Sequence, residues 1–193
     1  MTTEWKHPEG RHMAPRETRA HPQSNLDFRL MSASYKLRDI LVPRINVLKE
    51  VGIRAGFNVL DYGCGPGSYI VPLAELVGKS GKIYALDVHP LAIQAVQRIA
   101  AKKRLANVHT ILSDCKTGLL PSSVDVVLLY DILHDLNNSG EVLAELYRVL
   151  RPEGILSVSD HHMKQNEIIS RVTGGGLFKL SARGRRTYSF LKK

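Results

Sequence analysis

The sequence predicts a doubly wound α/β fold, and three observations carry that reading. Short apolar runs alternate with helix-periodic stretches along residues 53–193, the pattern of βαβ units joined by right-handed crossovers. The first run ends in a glycine-rich turn, Gly63-Cys64-Gly65-Pro66-Gly67, where the backbone must bend sharply and approach a ligand closely. The run over 124–130 is apolar almost throughout, as suits a strand buried on both faces of a parallel sheet.

Each element follows in chain order. Residues 1–24 are rich in His, Arg, Pro and Glu and have no apolar period, which predicts a flexible N-terminal arm. Residues 25–193 form a single domain. Its first part, 25–52, carries Leu37, Ile40, Leu41, Ile45, Leu48 and Val51 at helical spacing, with Pro43 interrupting the run, so a helical segment in two pieces is expected. The core, 53–193, begins with a strand over 57–61 and a helix ending near Val77. A second strand at 82–87 precedes a helix over 91–104, with Pro90 where a first turn tolerates it. Strands follow at 108–112 and 124–130. A helix over 141–150, stopped by Pro152, leads to a fifth strand at 155–159. A helix at 165–172 and two strands at 177–181 and 187–191, around Gly184, complete the chain.

Composition excludes several classes. At 193 residues, 44% apolar and 23% charged, the chain is neither disordered nor a disulfide scaffold. No stretch approaches the roughly 18–20 apolar residues of a membrane span and no apolar signal core is visible, so no membrane partner and a cytoplasmic location are expected. Cys64 and Cys115 fall at the ends of non-adjacent strands, too far apart for a disulfide. The net charge of +9 raises nucleic acid, an anionic membrane or an anionic small molecule as partner. Position narrows this: residues 111–160 hold eight acidic side chains against three basic, while 161–193 hold eight basic against one acidic. A uniform basic face does not follow. Arg183, Arg185 and Arg186 are either a solvated hairpin or the reader of one anionic group at a pocket rim.

In open α/β sheets ligands bind beyond the carboxyl ends of the strands. After Gly63 and Gly65 a dinucleotide site wants a third glycine at 68, which is Ser68; here it comes one residue early, at Gly67. Asp61 would repel a pyrophosphate but attract the ammonium and sulfonium of S-adenosylmethionine. Asp87, ending the second strand, has paired acceptors for both ribose hydroxyls.

Together with Ser113-Asp114-Cys115, the run at 126–130 and Leu146-Tyr147-Arg148-Val149-Leu150-Arg151-Pro152-Glu153-Gly154, these residues make the chain resemble a class I S-adenosylmethionine-dependent methyltransferase of the type 11-like group. The resemblance covers about residues 35–193 and departs from the family's usual turn only at Glu153. It implies a Rossmann-like seven-stranded sheet in the order 3-2-1-4-5-7-6, the last strand antiparallel, with helices on both faces. It implies that Asp61, Gly63, Cys64, Gly65 and Gly67 surround the methionine end of the cofactor. Asp87 and Val88 would take the ribose and adenine, Asp114 and Cys115 the adenine edge, and Tyr130 the methyl. Residues 25–52 would form a helical lid, with Tyr35 as a contact.

Two histidine-bearing patches, 130–135 and 160–163, follow strands four and five. His134 or His161 is the candidate base for an acceptor that must lose a proton. A metal site built on Asp131, Asp160 and a histidine lacks the carboxylate-plus-amide pattern of catechol-type enzymes, so no metal is expected. The expected function is methyl transfer by in-line displacement to a small-molecule O, N or C acceptor, possibly an anionic one. The alternatives are an RNA methyltransferase, which lacks an appended RNA-binding module and an Asn-Pro-Pro-Tyr-type motif here, and a non-catalytic S-adenosylmethionine-binding regulatory or scaffold protein. Oligomeric state is open.

Overall fold

The computed structural model describes residues 24–26, Phe28 and residues 43–193. The expected arm at 1–24 therefore lies outside the described residues save for Ser24. So do Tyr35 and the periodic positions Leu37, Ile40 and Leu41. Asn25, Leu26 and Phe28 are helical, and Pro43 directly precedes α1 (Arg44–Lys49). The interruption at Pro43 is thus a helix start, where proline's missing N–H costs nothing.

The elements alternate as expected: β1 (Asn58–Tyr62), α2 (Ile70–Val77), β2 (Lys82–Asp87), α3 (Pro90–Lys103), β3 (Val108–Leu112) and β4 (Val124–Tyr130). These are followed by α4 (Ser139–Val149), β5 (Leu150–Ser159), α5 (Gln165–Thr173), β6 (Phe178–Arg183) and β7 (Tyr188–Lys192). Seven strands form one sheet in the order β3-β2-β1-β4-β5-β7-β6. The β1–β2, β1–β4, β2–β3 and β4–β5 pairs are parallel, and β7 runs antiparallel to both β5 and β6.

One boundary differs from expectation by more than a residue or two. β5 begins at Leu150, five residues before Ile155, directly where α4 ends. Val124 pairs with Leu150 and the next pair is Val126 with Ile155, so the extra residues bulge out of the ladder. Pro152 sits in that bulge, where its missing N–H breaks no ladder bond.

The sheet buries both faces. Leu60, Val127, Leu129, Leu156 and Phe190 point to one side and pack against Val142, Leu146 and Ile168 of α4 and α5. Val59, Ile83, Val126 and Leu128 point to the other and pack with Leu48, Ile70, Leu73 and Val96 of α1, α2 and α3. Each fully buried aliphatic side chain contributes about 1.5–3 kcal/mol. Strand alternation then puts Asp61 and Tyr130 on the face covered by α1 and α2. His89 caps α3 by accepting the Leu91 N–H at 3.1 Å, and Arg104 ends it in the left-handed conformation at φ 54°. Among the described residues no helix is long and apolar enough to cross a membrane. Cys64 and Cys115 are both buried free thiols.

Candidate functional site

A cavity of about 580 Å³ opens at the carboxyl ends of β1, β2 and β4, within the roughly 300–1,000 Å³ typical of small-molecule sites. Its walls come from the loops that follow those strands, because a parallel sheet delivers every such loop to one edge.

The loop after β1 is pinned by the backbone. Gly63 and Cys64 N–H groups donate to the Leu86 carbonyl at 2.8 and 2.9 Å. Asp87 ties two loops together: one carboxylate oxygen accepts from Gly65 N–H at 2.9 Å, the other from His89 N–H at 2.8 Å. Burial raises its pKa while those two hydrogen bonds work against the rise. Each oxygen keeps a second lone pair for a diol. Tyr62 donates its hydroxyl hydrogen to the Asp114 carbonyl at 3.0 Å, joining β1 to the loop that follows β3.

Asp61 is the anomaly of the site. It is 2% exposed, and its Oδ2 has no hydrogen-bond partner among the described residues. Burial pushes its carboxyl up to about 7, and the neighbouring Asp87 charge adds to the rise. With no donor among the described residues, the charge on this buried oxygen would be offset by a cationic group placed in the cavity. Tyr130 closes the same region. Its hydroxyl shares a 2.8 Å hydrogen bond with Ser157, and its ring stands edge-on to Tyr69 at 5.2 Å.

Of the sequence-predicted residues, Asp61, Gly63, Cys64, Gly65, Asp87, Val88, Asp114, Tyr130 and His134 line the cavity. Gly67, Cys115 and His161 do not. Gly67 turns away because its place is in packing: at φ +85°, an added Cβ would lie 2.9 Å from Ile99 Cδ1 and 3.2 Å from Val96 Cγ2. Gly67→Ala is therefore expected to cost about 1–3 kcal/mol, lowering the melting temperature by about 3–10 °C. A variant melting within 1 °C of the parent would contradict this. Cys115 is drawn into the core with Tyr62 and Leu86. Burial, with Asp61 and Asp87 adding to it, lifts the Cys64 thiol well above its ordinary range, so it is a packing residue rather than a nucleophile. The hairpin bearing Arg183, Arg185 and Arg186 reaches the same sheet edge but lines no part of the cavity. There Glu50 accepts from Arg186 N–H at 3.1 Å and from the Thr187 hydroxyl at 2.9 Å.

The histidine patches come together because β4 and β5 are neighbours. Asp131 sits at φ 53°, and its Oδ1 accepts from His161 Nδ1 at 2.8 Å. Asp160 Oδ2 accepts from both the backbone and the ring Nδ1 of His134, at 3.0 and 2.9 Å. Among the described residues no cluster of three or more metal-ligating side chains is suited to a metal ion. Sequence reasoning missed Phe28, which lines the cavity and stacks on His89 at 4.6 Å; its segment carries no local ligand signature. It also missed His162, which lines the cavity.

Residues 53–179 match the family model described as a methyltransferase domain. The chain belongs to the class I S-adenosylmethionine-dependent methyltransferases. The chain is similar to demethylmenaquinone methyltransferase of Geobacillus sp. (strain WCH70), 30% identical over 125 residues, which are 64% of this chain and 53% of that protein. Nocamycin O-methyltransferase of Saccharothrix syringae is 32% identical over 114 residues, 58% of this chain and 41% of that protein. The chain thus spans about half the length of the curated relatives it matches. Among solved structures, a S-adenosylmethionine-dependent methyltransferase from Aquifex aeolicus superposes with a TM-score of 0.70 at 24% identity, covering 83% of this chain and 97% of that one. One from Methanococcus maripaludis gives a TM-score of 0.75 at 14% identity, covering 94% and 97%. These two likenesses show the fold of this chain. The two relatives' names carry different acceptors, and neither fixes the one used here.

Proposed function

We propose that the protein transfers a methyl group from S-adenosylmethionine to a small-molecule acceptor. The observation that carries the reading is the Asp61 carboxylate, buried, lining the cavity and with its Oδ2 lacking a donor among the described residues. It matches a ligand bearing an ammonium group beside a sulfonium. Asp61 and the Gly63 and Gly65 backbone would hold the methionine end, Asp87 the ribose, and Val88 with Asp114 the adenine. S-adenosylmethionine supplies an already activated methyl group, so the residues have mainly to align and exclude water. Such positioning lowers a barrier by about 7–11 kcal/mol. Phe28, Tyr69 and Tyr130 line the cavity and would shield the bound methyl group from water.

Calorimetric titration with S-adenosylmethionine tests the reading. Wild type should bind, and Asp87→Ala should bind about 10–100-fold more weakly, since it removes a charged acceptor and the tie between two loops. Absence of binding to the wild type would remove the proposal. A screen of cell extract with methyl-labelled cofactor then separates acceptor classes: label that survives ribonuclease supports a small molecule, and label lost to it supports RNA.

A further inference from the structure

The turn joining β6 to β7 lies beyond the residues matched by the methyltransferase-domain model, 53–179, and lines no part of the cavity. Its shape is nevertheless fixed with care. Gly184 N–H donates to the Thr187 carbonyl at 2.8 Å, closing the turn. Thr187 is buried, and its hydroxyl donates at 2.9 Å to Glu50 Oε2, the oxygen that also accepts from Arg186 N–H at 3.1 Å. A Cβ added at Gly184 would run into that carboxylate and lie 2.9 Å from the Thr187 hydroxyl, so a side chain is excluded there.

This fixed turn presents three cations. Residues 181–186 are all exposed, and Arg183, Arg185 and Arg186 are among them. None of the three guanidinium groups has an ion-pair or hydrogen-bond partner among the described residues, because Glu50 is occupied by a backbone N–H and a hydroxyl. Three uncompensated arginines on a rigid support complement a surface that bears phosphates, which the guanidinium fork binds through paired N–H donors.

The surroundings narrow the partner. β6 ends at the carboxyl edge of the sheet, where the cavity opens. Arg183 pairs with Tyr188, Tyr188 with Val158 and Val158 with Leu129, which puts Arg183 about 14 Å from the end of β4 at about 4.8 Å per strand. Leu26, 66% exposed, is two residues from Phe28, and Leu112, 59% exposed, directly precedes Ser113; both Phe28 and Ser113 line the cavity. The sheet edge therefore carries cations at one end, exposed apolar side chains at the other and the cavity mouth between them. A flat partner offering phosphates and hydrocarbon together meets all three, and an anionic lipid bilayer is such a partner. A nucleic acid fits less well. The exposed turn residues include no aromatic side chain on which a base could stack, and a phosphate chain running from the turn to the cavity would meet Asp131 and Asp135. Docking on a surface requires no membrane-spanning helix.

We propose that the β6–β7 turn docks this protein on the anionic headgroups of a lipid bilayer, with Leu26 and Leu112 entering the bilayer surface beside the cavity mouth. Each arginine near such a surface strengthens binding about fivefold. The contact is reversible and sensitive to salt.

Sedimentation with vesicles of equal parts phosphatidylglycerol and phosphatidylcholine tests this. The wild type should bind them at about 0.1 M salt and be released at about 1 M, where the Debye length falls from about 10 Å to about 3 Å. Binding to pure phosphatidylcholine should be weaker by about 30-fold or more. Replacing Arg183, Arg185 and Arg186 together by glutamine should weaken binding to the anionic vesicles about 100-fold. The same change at Lys82, Lys102 and Lys103, exposed at the opposite edge of the sheet, should cost less than about threefold. Leu112→Asp should weaken binding by about tenfold or more, whereas Leu120→Asp, on the exposed segment that returns to the start of β4, should change it less than about twofold. All these side chains are exposed, so each variant should melt within about 2 °C of wild type; if the triple arginine variant does not fold, Arg185→Gln alone should cost about fivefold. No binding to the anionic vesicles, equal binding to pure phosphatidylcholine, or equal losses from the arginine and lysine replacements would overturn the proposal. So would equal losses from Leu112→Asp and Leu120→Asp, or a single-stranded RNA that binds more tightly than the vesicles and displaces the protein from them. Vesicle binding is measured without S-adenosylmethionine, so its failure leaves the methyltransferase reading standing, and a wild type that docks without binding S-adenosylmethionine overturns only that reading.

Discussion

Asp61→Asn should lower the affinity for S-adenosylmethionine by about 100-fold or more while stabilising the ligand-free protein at alkaline pH. Both effects have one cause. The carboxylate is buried, one of its oxygens has no partner among the described residues, and its pKa is pushed up to about 7 against an ordinary 3.8. For an acid raised on folding, the stabilising contribution is fully present below the unfolded value and is lost as pH rises through the folded value. The empty protein at pH 8 therefore bears a charge whose cost is on the order of 2–4 kcal/mol. Asparagine removes that charge, although its buried amide forfeits about 1–3 kcal/mol of hydrogen bonding. The melting temperature of the variant relative to wild type should thus be higher at pH 8 than at pH 5, by about 3–8 °C. Binding runs the other way. Truncating one partner of a buried charge pair typically costs about 2–5 kcal/mol. Wild-type affinity should also fall about tenfold for each pH unit below 7, as Asp61 must lose its proton before a cation can pair with it. The variant should show no such slope between pH 5 and 8. Calorimetry across that range decides it, and a variant that binds as tightly as wild type, or with the same slope, would refute the pairing.

The placement of Asp61 and Asp87 was legible in the sequence because a parallel sheet makes position predictable: residues at the carboxyl ends of its strands arrive at one edge, where the cavity opens. The order of the strands was legible for a different reason, the resemblance, since alternation alone does not say which strands are neighbours. What stayed hidden depends on contacts between distant residues. His134 and Asp160 are 26 residues apart, and only the β4–β5 pairing brings them together. Gly67 reads in sequence as one more ligand glycine, yet its missing side chain makes room for Ile99 and Val96 of α3. Pro152 correctly marks the end of α4 but also suggests a loop, and the bulge that lets β5 start at Leu150 has no sequence signature. Nothing local in the sequence marks the burial of Glu145, which depends on Thr117 from a segment 28 residues away.

Glu145 is 3% exposed, and its replacement should be the most destabilising change outside the apolar core. Its Oε1 accepts from Thr117 N–H at 2.9 Å, from the Thr117 hydroxyl at 2.7 Å and from Arg148 Nη2 at 2.7 Å, while Oε2 accepts from Arg148 Nε at 2.9 Å. Arg148 continues to the Leu119 carbonyl at 2.9 Å. The network clamps the segment between β3 and β4, which begins with the cavity residues Ser113 and Asp114, onto α4. The Arg148 hydrogen bonds, outweighing burial and aided by Thr117, hold the Glu145 carboxyl down to about 2 against an ordinary 4.5. Lys116, 3.9 Å away and 83% exposed, adds little through water. For an acid lowered on folding, the stabilisation is present above the unfolded value and is lost as pH falls through the folded one. At pH 7 that contribution is about 3 kcal/mol. Glu145→Gln keeps the shape but loses the charge, so at pH 7 it should melt about 5–12 °C below wild type. That gap should close as pH drops from 4.5 towards 2, because wild type loses there what the variant never had. Affinity for S-adenosylmethionine should fall by less than about tenfold, as the Asp114 loop loosens while Asp61 and Asp87 stay in place. A constant gap across the acid range would assign the loss to packing instead of charge. A large loss of affinity without loss of stability would place Glu145 in the ligand site, which its burial among Thr117 and Arg148 opposes.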